Sequence, residues 1–217
     1  MEPFNENNII NLRGVVSSEV EYSHEAFDEK YYRFFVDTKR LSDLSDTLPI
    51  IVSEKLINID DIKIGDVVFV NGQVRSHNQP VEDKRSKLIL SIFTKEIRKE
   101  SIEEDTSLNE VIFQGFICKE PIYRKTPLGR EIADVLIAVN RAYKKSDYIP
   151  CILWGRNAKF CESLPIGSKV SITGRMQSRK YSKKLNDENV REMTAYEVSA
   201  SMFTLLKDDE KEEMAQI

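Results

Sequence analysis

Three places in the chain set an aromatic side chain among cations. Tyr143 precedes Lys144 and Lys145 in R-A-Y-K-K, Trp154 stands just before Arg156 in L-W-G-R, and Tyr181 follows Arg179 and Lys180 in S-R-K-Y. Flat rings offer a stacking surface to nucleobases, and ammonium and guanidinium groups offer counter-charge to phosphates. Together they supply what a single strand of nucleic acid asks of a protein. Each piece alone has a plainer reading. A lone Trp closing an apolar strand is more often core than platform, and a lysine pair is more often a solvated face. The combination gains weight because the rings and cations lie beside each other in one basic stretch.

Other chemistries lack their parts. The chain has no G-x-x-x-x-G-K-[ST] to cradle a nucleoside triphosphate, no H-E-x-x-H and no G-x-S-x-G. Its two histidines, His24 and His77, lie in polar stretches without a second ligand or a nucleophile nearby. A carboxylate–metal nuclease stays open in principle because acidic residues abound, but they do not cluster in the basic half. The expectation is a non-enzymatic protein with no metal and no cofactor. Cys118, Cys151 and Cys161 are odd in number and form no C-x-x-C, so they read as small hydrophobes in a reducing compartment. The first residues lack the apolar core of a secretory signal, and no run approaches the roughly 18 apolar residues of a membrane span. A cytoplasmic, nucleoid-associated location without membrane contact follows as an expectation.

The elements that would position these residues are strands. Ala133, Val135, Ile137 and Val139 alternate onto one face, as do Val170, Ile172 and Gly174. A chain of 217 residues with 41% hydrophobic content has room for two small cores. An internal repeat divides it. I-K-I-G-D-V-V-F-V-N-G-Q-V-R-S (62–76) aligns without gaps on L-P-I-G-S-K-V-S-I-T-G-R-M-Q-S (164–178), and L-P-I-I-V (48–52) aligns on I-P-C-I-L (149–153). Each copy reads as five strands with a short helix or loop between the third and fourth. Strand-interior glycines, Gly14 and Gly72 in one copy and Gly115 and Gly174 in the other, mark bends. The predicted fold class is all-β: two tandem OB-folds, each a five-stranded Greek-key barrel. The copies occupy 1–100 and 110–206, with an acidic linker at 101–109 and an acidic tail at 207–217.

Charge follows this division. Residues 1–100 hold 14 Lys/Arg and 18 Asp/Glu, whereas residues 107–206 hold 16 and 10. The formal net charge of −4 therefore hides a basic second copy on an acidic first one.

The second copy resembles the bacterial single-stranded DNA-binding protein family. T-P-L-G-R (126–130), A-V-N-R (138–141), Y-I-P-C-I-L-W-G-R (148–156), G-S-K-V-S-I-T-G-R (167–175) and Q-S-R-K-Y (177–181) carry the likeness in the family's order. The first copy resembles the family only through the repeat. The resemblance implies four base-stacking positions, falling on Tyr143, Tyr148, Trp154 and Tyr181. It implies phosphate contacts from Arg141, Lys144, Lys145, Arg156, Arg175, Arg179 and Lys180. Through the repeat, Tyr148 maps to Thr47, Trp154 to Ser53 and Tyr181 to Gln79, so the first barrel is expected to be architectural. Its Tyr31, Tyr32, Phe34, Phe35, Phe69 and Phe93 then read as core or interface.

The resemblance also implies sequence-independent single-stranded DNA binding in replication, repair or recombination, and a homodimer presenting four barrels. Replication or repair proteins are expected as partners, though the tail lacks the proline-aromatic tip through which the family recruits them. The alternatives are a primosomal or mobile-element accessory with weak DNA binding, a protein-interaction module with a vestigial groove, and an RNA-binding role.

Overall fold

In the computed structural model, which describes residues 7–40, 42, 44–80, 86–101, 107–184 and 190–207, the period-two runs become strands. The first half holds β1 (Asn8–Val16), β2 (Glu21–Ala26), β3 (Glu29–Lys39), β4 (Ser45–Ser53), β5 (Val67–Pro80) and β6 (Ser86–Glu100). The second holds β7 (Leu108–Ile117), β8 (Ile122–Lys125), β9 (Glu131–Arg141), β10 (Lys145–Trp154), a helix α1 (Arg156–Glu162), β11 (Lys169–Lys184) and β12 (Val190–Leu205). Most of the sequence-defined linker, and the tail beyond Lys207, lie outside the described residues.

Each half closes on itself. β1 pairs with β5 on one side and, at Val15 and Val16, with β3 on the other, while β4 and β6 run parallel to complete the ring. The same closure joins β7 to β11 and β9, with β10 and β12 parallel. Two OB-fold barrels result, as the repeat predicts. Alternation fills their interiors: Ile10, Leu12, Phe34, Val36, Ile50 and Ile92 in one, and Val111, Phe113, Ile137, Ile149, Ile172 and Met176 in the other, are fully or almost fully buried.

One detail differs from the five-strand expectation. Each half carries a sixth, short strand, β2 or β8, which extends the sheet as the outer partner of β3 or β9. Its residues are mostly exposed and lack apolar alternation, so no period of two betrays it. The helix between the third and fourth barrel strands is α1 in the second half, seated by buried Ala158 and Cys161. In the first half it shrinks to a single 3-10 turn at Ile59–Asp61.

Gly72 and Gly174 stand at the expected bulges, where the register of β5 against β6 and of β11 against β12 shifts. A Cβ on either would collide with a backbone carbonyl, that of Phe93 or Ser199 respectively. These positions need glycine because strands cross there too closely for a side chain.

The barrels join through β1 and β7, which pair antiparallel with Ile10 opposite Val111. Those two residues hold equivalent places in the two copies, so a pseudo-twofold axis passes between them. Equivalent asparagines repeat one contact about that axis. Asn8 exchanges two hydrogen bonds with the Val74 backbone, at 2.8 and 3.1 Å, and Asn109 does so with Met176, at 2.7 and 3.0 Å.

Candidate nucleic-acid interface

β10 positions two of the four sequence-predicted rings. Its alternation sends Ile149, Cys151 and Leu153 into the core and leaves Tyr148 and Trp154 outside, 43% and 39% exposed. Six residues of extended chain separate them by roughly 20 Å. The Trp154 indole N–H donates to Ser199 Oγ on β12 at 3.1 Å, which anchors one edge of the ring. Gly155, at φ 54°, then turns the chain abruptly into α1, a conformation L side chains rarely adopt.

Tyr181 lies on the β11–β12 arm opposite Met193, half-buried, with its hydroxyl 3.8 Å from Met193 Sδ. The Arg179 guanidinium carbon stands 5.9 Å from the Tyr181 ring centroid, a cation–π approach. Arg179 also lies 3.8 Å from Glu197, whose carboxylate accepts Gln177 Nε2 at 2.7 Å. Lys180 sits between these two in sequence but on the opposite face of the arm, the side that carries Ser178. Tyr143 falls in a 3-10 turn at Ala142–Lys144; its side chain lies outside the described set.

The seven sequence-predicted cations divide into two groups. Lys144, Lys145, Arg156 and Lys180 are exposed and make no ion pair among the described residues, and Arg179 is exposed with one loose ion pair, to Glu197. Arg141 and Arg175 are occupied. Arg175 Nη1 lies 3.0 Å from Asp46 Oδ2, and Arg141 Nε lies 3.2 Å from Asp147 Oδ2, both carboxylates being fully buried. The structure does not bring these two arginines out with the others.

Sequence reasoning missed the reason, a reciprocal clamp between the barrels. Asp46 on β4 accepts the backbone N–H of Ser178 on β11 at 2.7 Å, and Asp147 on β10 accepts that of Ser76 on β5 at 2.7 Å. Arg40 forks onto Asp46 at 2.6 and 2.9 Å. In return, Ser178 Oγ accepts the Thr47 N–H at 3.1 Å and Ser76 Oγ accepts the Tyr148 N–H at 2.7 Å. The clamp therefore fixes the strand that carries Tyr148. A signal was present, since in both copies an Arg stands six residues before the Asp of a Ser-Asp pair, at Arg40–Asp46 and Arg141–Asp147.

The first barrel holds aromatics beyond its core. Phe34 is fully buried, but His24 stacks on Tyr31 at 4.9 Å, and Tyr31 lies 5.5 Å from Phe93 on the outer surface. Burial, and then the Glu29 charge, push the Tyr31 phenol up. The Arg75 guanidinium carbon stands 5.2 Å from the Phe93 centroid, and burial together with Arg141 lowers the pKa of Arg75.

A family model described as the single-strand binding protein family matches residues 108–206. Single-stranded DNA-binding protein B of Bacillus subtilis (strain 168) is 36% identical over 92 residues, which are 38% of this chain and 76% of that protein. The chain belongs to the single-strand binding protein family. Single-stranded DNA-binding protein 1 of Staphylococcus aureus (strain COL) is 37% identical over 81 residues, 34% of this chain and 48% of that protein, so the match spans about half the length of this relative. Among solved structures, the wild-type single-stranded DNA binding protein from Thermus aquaticus superposes with a TM-score of 0.73 at 16% identity, covering 93% of each chain. That likeness shows the same fold across both barrels. The family match itself lies on the second barrel, which holds Tyr148, Trp154 and Tyr181.

Proposed function

We propose that this chain binds single-stranded DNA without reading its sequence. The observation that carries the reading is the outer face of β10, where exposed Tyr148 and Trp154 are fixed to the frame by Ser76 and Ser199 and flanked by Lys144, Lys145 and Arg156. Bases stack on Tyr148, Trp154 and Tyr181, with Tyr143 as the fourth ring, and the exposed cations meet phosphates. Because every base has a π-face, stacking tolerates any sequence. The first barrel pairs with the second through β1 and β7 and sets its orientation.

Membership of the family supports a place in DNA replication, repair or recombination, in the cytoplasm, as a binding protein and not an enzyme. Two barrels per chain make a homodimer with four barrels the fitting assembly. The uncovered outer face of the β1–β7 ladder, where Ile112 is 44% exposed, offers a surface for it.

Trp154 is the chain's one tryptophan and serves as its own probe. Titration with oligo-dT should quench its emission strongly, duplex DNA should do so far less, and added salt should weaken the effect. Flat emission with no gel shift would sink the reading and favour a protein-interaction role for the barrels.

A further inference from the structure

The first barrel has lost the tryptophan of the second, but the ladder registers show what replaced it. Tyr31 pairs with Ser53 as Ile132 pairs with Trp154, and Phe93 pairs with Ile51 as Ser199 pairs with Ile152. Ser53 therefore takes the place of Trp154, and Phe93 takes the place of the indole's hydrogen-bond acceptor. The ring lost from one strand is supplied by the strands on either side of it. Tyr31 and Phe93 stand 5.5 Å apart at 36°, and His24 covers Tyr31 at an interplanar angle of 8°. Beside the rings opens a cleft of about 410 Å³, walled by Tyr31, Phe93, Leu56, Thr94 and Lys95. Glu29, at its margin, is already engaged by the Ser53 hydroxyl and by Lys55 Nζ at 3.0 Å.

This ledge is continuous with the second barrel through Arg75. The guanidinium lies against Phe93 on one side, and on the other its Nε is 3.9 Å from Asp147, the residue before Tyr148. Ser76, next in sequence to Arg75, holds the Tyr148 backbone. Aromatic faces, a cleft open to a base and a cation at the crossing are the parts a single strand uses.

We propose that the first barrel is a second base-stacking site, not only a frame. A single strand bound on Tyr148 crosses the seam beside Arg75 and stacks on Phe93, Tyr31 and His24. The inference rests on the single-stranded DNA reading of the second barrel.

The test uses the full chain carrying both Tyr31→Leu and Phe93→Leu, which keep apolar bulk and remove the π-faces. Trp154 quenching is read with dT oligomers of increasing length. In the unaltered protein the length protected per chain should exceed that in the variant by roughly four nucleotides or more, and long oligomers should bind the variant about tenfold more weakly. An oligomer too short to leave the second barrel should bind both proteins alike. Equal protected lengths and equal long-oligomer affinities would overturn the proposal while leaving the second barrel's role intact. No quenching of the unaltered protein at any length would instead remove the reading on which it rests. Should the variant fail to fold, photocrosslinking of 5-iodouracil-substituted strands to the unaltered protein decides. Adducts on His24, Tyr31 or Phe93 support the site, and adducts confined to residues 108–206 overturn it.

Discussion

Asp46 of the first barrel and Ser178 of the second are joined by a 2.7 Å hydrogen bond from the Ser178 backbone N–H to a fully buried carboxylate. Asp147 and Ser76 repeat the contact with the barrels exchanged. A carboxylate is costly to bury alone, and each is held by arginines: Arg40 and Arg175 on Asp46, Arg141 and Arg75 on Asp147. The two halves are not equal. Asp46 Oδ2 accepts hydrogen bonds from Arg40 Nε and Arg175 Nη1, whereas Asp147 Oδ2 has no hydrogen bond among the described residues and faces Arg141 only as a charge at 3.2 Å.

Removing the better-satisfied carboxylate should therefore cost more. Asp46→Ala leaves two guanidinium groups without counter-charge at the seam and should destabilise the chain by about 3 kcal/mol, the low end for a broken buried pair because Arg40 and Arg175 keep some solvent. Asp147→Ala should cost less. Urea unfolding midpoints of the two variants check the order, and an equal or reversed ranking would contradict it.

The division of the cations predicts a salt signature. Lys144→Ala, Lys145→Ala or Arg156→Ala should each reduce the slope of log affinity against log salt by about 0.7, the value for one phosphate on a single strand. Arg175→Ala should leave that slope nearly unchanged and lower the unfolding midpoint instead, since its charge is spent on Asp46. Titrations at four or five salt concentrations separate the two behaviours. A full loss of slope in Arg175→Ala would return that residue to the DNA face.

Both barrels were legible in the sequence because strand alternation and the 62–76 and 164–178 repeat are local patterns. The outward rings of β10 were legible for the same reason, since Tyr148 and Trp154 share one parity of the strand. What the sequence hid depends on contacts between distant segments. Arg175 looks like a DNA-facing cation until the fold brings it onto Asp46, 129 residues away; Arg141 meets its aspartate, Asp147, nearer by, across the turn from β9 to β10. The Tyr31–Phe93 ledge has no counterpart position along β4, because its rings come from β3 and β6 on either side of that strand. The strand β2 escaped because E-Y-S-H-E-A has no apolar period, its pairing being decided by β3.

The bulge at Gly174 ties fold to site. A methyl group there would press on the Ser199 carbonyl and come within 2.9 Å of Ala200 Cα, and backbone cannot yield as a flexible side chain does. Gly174→Ala should cost about 1–3 kcal/mol. Because Ser199 also holds the Trp154 indole, the emission maximum of the native protein should shift as well. A stability loss with unchanged tryptophan emission would show that the bulge and the indole anchor are uncoupled.

The cysteines give the pH prediction. Burial pushes the Cys161 thiol from 9.0 up to about 11 and raises Cys151 well above its ordinary value, while Cys118 is only half-buried. The folded state favours the neutral thiol, so the stability linked to Cys161 is fully present below pH 9 and is lost as pH rises from about 9 through about 11. Tyrosines and lysines titrate in the same window, so the comparison is between the native chain and Cys161→Ala. The native chain's unfolding midpoint should fall more steeply over that range, and parallel curves would refute the assignment. At pH 8 the folded protein should be alkylated first at Cys118, with Cys151 and Cys161 reacting only as fast as the second barrel opens.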